Sequence, residues 1–387
     1  MAEARPGGRI AWVDATRGAG AIGVVILHVV GSSVSATGGE GSSAACAWLS
    51  VLATACGRWC VPAFLMLSGL LTLGDDAHAA RVGPRWGARH AARLALAILL
   101  FGWPFATMSR IWEALPQAAG AGASPALAAI LPSLPAMLAG ALCDVLLMKT
   151  WDHMWYLYAM AGAYLLLPLV ARALRLGAAG GSRRLAVAAG MASAAMLAVP
   201  TAMGYAALAR GEGAPMLVLA PGGGTLRTLA AEVAIAVTCM LVGGWVPRAG
   251  QAAERWVALL GGASWAAMCM TQAVGIRDGF DASFALLHGS ALAASVAACV
   301  VMLMRLAGEA GLADGSSRAG RLLGALAAEG LGVYAIHPLF VHLLVMAAAG
   351  AGVPVAVTVV VGVPAVLALS WASARALRRL PPFRDML

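Results

Sequence analysis

Long apolar runs alternate along this chain with short stretches rich in Arg, Gly and Pro. A helix needs ~20 apolar residues to cross a ~30 Å hydrocarbon core, and many of the runs reach that length. The pattern predicts ten spans, at residues 9–31, 46–74, 90–108, 153–172, 184–205, 226–246, 256–275, 286–306, 321–347 and 353–377. With a cytoplasmic N-terminus, Arg5 and Arg9, then Arg81, Arg85 and Arg89, then Arg172, Arg175, Arg183 and Arg184 fall on the inner side. The later clusters at Arg248 and Arg255, at Arg305, Arg318 and Arg321, and at Arg375, Arg378, Arg379 and Arg384 join them. Outer loops hold only Arg110, Lys149, Arg210, Arg227 and Arg277. Because Arg and Lys collect on the cytoplasmic side, this bias predicts both termini inside.

A further apolar stretch at residues 126–148 is ambiguous. Counting it as a span would move the cluster from Arg172 to Arg184 to the outside, so it is read as a re-entrant or interfacial segment. Pro132 and Pro135 suit a broken helix lining a cavity.

Composition agrees with the pattern: 61% of the 387 residues are hydrophobic and 11% charged, against ~25% charged in soluble domains. The expected fold is all-α, a polytopic helical bundle forming one integral-membrane domain over residues 1–387. A cleaved signal peptide is not expected, because Asp14 and Arg17 interrupt the first apolar run. The net charge of +9 belongs to topology and to contact with membrane lipids. No basic patch interleaved with aromatics points to nucleic acid. Seven cysteines make no paired framework, and Cys56 and Cys60, four residues apart without a nearby His or acid on that helix, predict no metal site.

The first run, Arg9 to Gly31, carries the chemistry that a lipid-facing helix has no use for. At ~100° and ~1.5 Å per residue, His28 returns to within ~20° of the face of Arg17, ~16 Å further along. Asp14 lies one turn before Arg17 and within pairing distance of it. Ionisable groups at such depth are costly and tend to be functional. On the expected topology His28, His153, His337, Glu232, Gln272, His288 and His342 fall in the outer half, which predicts a polar cavity opening outward. Arg85, Arg89 and Arg93, at i, i+4 and i+8, form with His90 a second site on the inner face.

Four stretches in order then resemble the membrane acyltransferase-3 family: Asp14 and Arg17 with His28; Arg58 with Val61-Pro62-Ala63-Phe64 running into Ser68-Gly69; Asp152-His153-Met154-Trp155-Tyr156-Leu157; and Gly332-Val333-Tyr334-Ala335-Ile336-His337-Pro338. Leu65, Leu70 and the Gly330-Leu331 pair depart from the family's usual residues. The closest resemblance is to compact bacterial O-acetyltransferases without an appended soluble domain. It implies a multi-pass protein of the bacterial inner (plasma) membrane that moves an acyl group, often acetyl from acetyl-CoA, to a hydroxyl of an envelope polysaccharide, lipid-linked sugar or related glycan. Acyl-CoA is then a co-substrate, and no covalently bound cofactor is expected.

On that reading His28 is the general base or the acyl carrier, Asp14 and Arg17 position the donor, and Arg58 stabilises the oxyanion. Arg85, Arg89, Arg93 and Ser68 bind the donor. His153, Trp155, Tyr156, Tyr334, His337 and Glu232 shape the acceptor side. The rival reading is a transporter or glycan exporter, in which the outer histidines and Glu232 form a substrate or proton pathway.

Overall fold

The structure is a computed structural model that describes residues 10–118, 131–179, 183–211, 226–280, 282, 286, 289–313, 315–384 and 386. Among these residues helices joined by short turns make up the fold, with no strand. Ten helical stretches are long and apolar enough to cross a membrane, the number that the hydrophobic pattern predicts.

The first span is α1 (Ala11–Ala36). The second, Ala44–Leu73, divides into α2 (Ala44–Gly57) and α3 (Cys60–Leu73), which meet at Arg58 and Trp59. After the short α4 (Asp76–Arg81), the third span begins as α5 (Pro84–Ala97), passes through a π-helical turn at Ile98–Gly102 and continues as α6 (Trp103–Ala118). Then come α7 (Leu134–Leu146), α8 (Trp155–Ala179), α9 (Arg183–Ala209), α10 (Leu226–Trp245), α11 (Gln251–Asp278) and α12 (Ala291–Glu309). The chain closes with α13 (Arg318–Ala328), α14 (Gly330–Gly350), α15 (Val355–Leu377) and α16 (Pro381–Arg384).

The boundaries follow local chemistry. Ser43, Ser290 and Ser317 cap α2, α12 and α13, each hydroxyl accepting a backbone N–H of the first turn at 2.9–3.1 Å. Pro84 begins α5, where its missing N–H costs nothing. The cap at Ser290 starts the eighth span at Ala291, not at residue 286. The expected ninth span over 321–347 is likewise corrected: residues 318–328 are a separate helix packed on α1, and the chain turns at Glu329 before α14 starts.

The described part of the ambiguous stretch is shorter than a span. Residues 126–130 lie outside the described residues; the rest is a 3₁₀ turn at Leu131–Ser133 followed by α7. Thirteen residues extend ~20 Å, short of the ~30 Å core. The two prolines initiate this helix instead of breaking it, since Pro135 sits in the first turn of α7. Arg110 of α6 holds it through Asp144 at 2.7 Å, and Trp103 Nε1 donates to the Leu138 carbonyl at 2.9 Å.

α1 is the central helix, touching α2, α3, α12, α13, α14 and α15. Among the described residues four apolar cores hold the bundle, the smallest between α11 and α12 around Met268 and Ala293; the other three are larger. One joins α3, α8, α10 and α12 through residues such as Leu67, Leu167, Met240 and Val301. Another joins the π-helical turn, α6, α7 and α14, and takes in Met386 beyond α16. The third is the valine seam of Val25, Val29 and Val34 against Val341, Val359 and Val366. The crossing of α3 and α10 is the closest approach. A Cβ at Gly69 would stand 1.9 Å from the Met240 carbonyl oxygen, and one at Gly243 1.8 Å from that of Met66. Only glycine at both positions lets the two backbones meet.

Glu329, 5% exposed, faces Arg378 at the C-terminal end of α15 at 3.2 Å, and Arg378 also donates to the Ala328 carbonyl at 2.5 Å. This bridge pins the turn between α13 and α14. Glu329→Gln removes the charge that faces Arg378 and leaves the guanidinium half-buried without its counter-charge, so it is expected to lower the melting temperature of the detergent-solubilised protein. An unchanged transition would show that the bridge does not hold the turn.

Candidate functional site

Arg17, Ala21, Val24 and Val25 recur along α1 at helical spacing and make one wall of a cavity of about 350 Å³. Phe64 and Ser68 of α3 face them, with His90, Arg93 and Leu94 of α5 and Tyr156, Leu157, Met160 and Tyr164 of α8. The wall is completed by the turn between α13 and α14 and by Val333, Tyr334 and His337 of α14. Consecutive spans run in opposite directions, so Arg17, Gly330, His90, Arg93 and Tyr164 belong to the end where α1 begins. Val25, Tyr156, Leu157 and His337 belong to the deeper end. The cavity therefore starts among basic side chains, passes an apolar neck and stops at an imidazole.

At the basic end, Arg93 Nε donates to the Met386 backbone carbonyl at 2.7 Å, so the segment after α16 helps to hold that arginine. His90 stacks on Trp86 with ring centroids 3.9 Å apart, and its Nδ1 meets the Trp86 carbonyl at 2.8 Å. Ser68 Oγ donates to the Phe64 carbonyl at 3.0 Å. It is a polar atom on the wall, fixed by its own helix.

At the deep end three imidazoles from three separate elements converge. His337 is 0% exposed, and its Nδ1 lies 2.8 Å from the Tyr334 carbonyl and 3.1 Å from that of Val333. A ring nitrogen facing carbonyls carries the proton, which leaves the lone pair on Nε2. That Nε2 is buried and has no hydrogen-bond partner among the described residues. His28, half-buried on α1, places its ring centroid 5.0 Å from that of His337, and His153, in the 3₁₀ turn Asp152–Met154 that leads into α8, places its own at 5.7 Å. The Tyr334 hydroxyl donates to the His153 backbone carbonyl, which ties that turn to α14. Beyond His153 an aromatic group continues through Phe105 and Trp151, stacked at 4.7 Å, to His342 and Trp112.

Placement of the remaining expected residues is uneven. Tyr156 is on the wall, 5.3 Å from the Tyr334 ring. Trp155, 6.1 Å from Tyr156, packs on the core of α3, α8, α10 and α12. Arg58 stands at the α2–α3 junction within electrostatic reach of His28. Asp14 precedes Arg17 by one turn but is not part of the wall, and neither is Glu232, buried on α10. Of the arginine stripe only Arg93 reaches the cavity. Arg85 and Arg89 are exposed and off the wall, because α5 turns that part of its face away. His288 lies outside the described residues. Sequence reasoning overlooked Tyr164, although its spacing of eight from Tyr156 puts both on one face of α8.

The arrangement suits a long, anionic molecule whose charged part stays with Arg17 and Arg93 while its tip reaches the imidazoles. Imidazole is both a base and a nucleophile near neutral pH. A family model described as an acyltransferase domain matches residues 10–375 of the chain. No curated protein and no solved structure matched it.

Proposed function

The chain belongs to that acyltransferase family and is a multi-pass membrane protein, and on this premise we propose that it moves an acyl group, acetyl in the first instance, from acyl-CoA to a hydroxyl of an envelope polysaccharide, lipid-linked sugar or related glycan. Family membership favours transfer over transport. The single observation that carries the donor assignment is the shape of the cavity, basic where α1 begins and closed by histidine at depth.

In this reading the arginine-rich end faces the cytoplasm, both termini lie there, and the membrane is the bacterial plasma membrane. Arg17 and Arg93 meet the phosphates of CoA as charge-assisted donors. The apolar neck between Val24, Leu157 and Met160 admits the pantetheine arm and excludes water from the thioester. His28 takes the proton of the acceptor hydroxyl, and Arg58 stabilises the oxyanion that forms at the carbonyl. The aromatic group around Trp151 and Trp112 lies on the acceptor side.

A thermal shift tests the donor without knowledge of the acceptor. A ligand that binds only the folded state stabilises it, by ~2.7 kcal/mol at a concentration of 100 Kd. Acetyl-CoA or succinyl-CoA is expected to raise the melting temperature of the purified protein, and Arg17→Ala combined with Arg93→Ala is expected to abolish the rise. No shift with either thioester would remove the acyl-CoA assignment.

A further inference from the structure

We propose that the acyl group travels through His337 as a covalent acyl-imidazole before it meets the hydroxyl that His28 activates. The inference rests on the acyl-CoA reading above and divides the work of that site between two imidazoles.

His337 is the histidine on the wall at the deep end of the cavity, whereas neither His28 nor His153 is part of that wall. A thioester that enters past Arg17 therefore meets His337 first. Its Nδ1 is held by the Tyr334 carbonyl at 2.8 Å, so Nε2 is the nitrogen with an available lone pair, and that atom is buried without a partner among the described residues. Native interiors rarely leave such an atom unpaired unless a function uses it. His28 is off that wall, at a centroid distance of 5.0 Å from His337, and is half-buried. In the proposed relay it serves the acceptor hydroxyl.

The two steps balance. His337 Nε2 attacks the thioester carbonyl carbon; a C–N bond forms, the C–S bond breaks, and CoA leaves as a thiolate that takes a proton from water at the basic end. The acyl-imidazolium keeps its Nδ1 proton on the Tyr334 carbonyl. The acceptor hydroxyl oxygen then attacks the acyl carbon while His28 takes the hydroxyl proton. The C–O bond forms, the C–N bond breaks, and the electron pair returns to Nε2. His28 releases its proton to solvent, so the net change is one acyl group moved from sulfur to oxygen.

A relay makes the first half-reaction independent of the acceptor. Purified protein incubated with acetyl-CoA and labelled CoA, and no acceptor, should pass the label into acetyl-CoA. His337→Asn keeps an amide donor for the Tyr334 carbonyl but has no nucleophilic nitrogen. It should lose this exchange to background while acetyl-CoA still raises its melting temperature. His28→Ala should retain the exchange although it has lost transfer to hydroxyls. Should His337→Asn not fold, the exchange rate of His337→Gln decides. The relay is overturned by exchange that persists in the folded His337 variant, or by a wild-type protein that transfers acetyl to an acceptor and shows no exchange. A wild-type protein with neither a melting shift nor transfer would instead remove the acyl-CoA reading, and the relay with it.

Discussion

Replacement of His28 by Ala is expected to lower acyl transfer to a hydroxyl acceptor by ~10²–10⁴-fold, the range that a positioned general base supplies, with little change in melting temperature. The expectation follows from where the ring lies. His28 is half-buried, and its ring meets that of His337 in a T-shaped arrangement with centroids 5.0 Å apart. The packing of α1 is carried instead by its neighbours Val25, Val29 and Val30, each 1% exposed or less. Truncation at His28 removes no member of that valine seam. Incorporation of labelled acetyl into the membrane glycans of cells carrying the variant measures the first effect, and a melting curve measures the second. Full incorporation with His28→Ala would end its assignment as the base.

The largest effect on stability is expected at the crossing of α3 and α10. Gly243→Val puts side-chain atoms where the Met66 carbonyl stands 1.8 Å from the first of them. Gly69 faces Met240 in the same way from the opposite helix. Overpacking in a core commonly costs ~1–3 kcal/mol, and here the obstacle is backbone, which has no rotamer to escape into. The variant should therefore fail to give a monodisperse peak on size-exclusion chromatography after detergent extraction. Gly262, where an added Cβ would meet nothing within 4 Å, provides the control, since Gly262→Ala should behave as wild type. A well-folded Gly243→Val protein would mean that α3 and α10 do not meet at these residues.

Span number was legible in the sequence because apolar length is a local property, summed over one helix at a time. Span ends were not, because a cap such as Ser290 or a turn such as Glu329-Gly330 changes the path of the chain while hardly changing its hydropathy. That Arg17 and His28 share a face of α1 could be read in advance, since a single helix fixes the angles between its own side chains. Which member of Arg85, Arg89 and Arg93 reaches the cavity depends on how α5 is rotated against α8 and α1, and no residue of α5 states that rotation. The contact between Arg93 and Met386 joins positions 293 apart, and nothing near either one announces it. The meeting of His28, His153 and His337 was implied only as far as their shared depth; their distances come from three elements packing together.

The cavity wall draws on α1, α3, α5, α8, α13 and α14, so it has a history in time. At a synthesis rate of ~5–20 residues per second, roughly 15–60 seconds separate the emergence of Arg17 from that of the helix bearing His337. For that interval the ionisable face of α1 is already in the bilayer without the last helix that encloses it. The nascent chain must shelter that face with α2 and α3, its first neighbours, or with the insertion machinery itself. Slower delivery of α14 would prolong the stage at which the unfinished bundle is open to quality-control proteases.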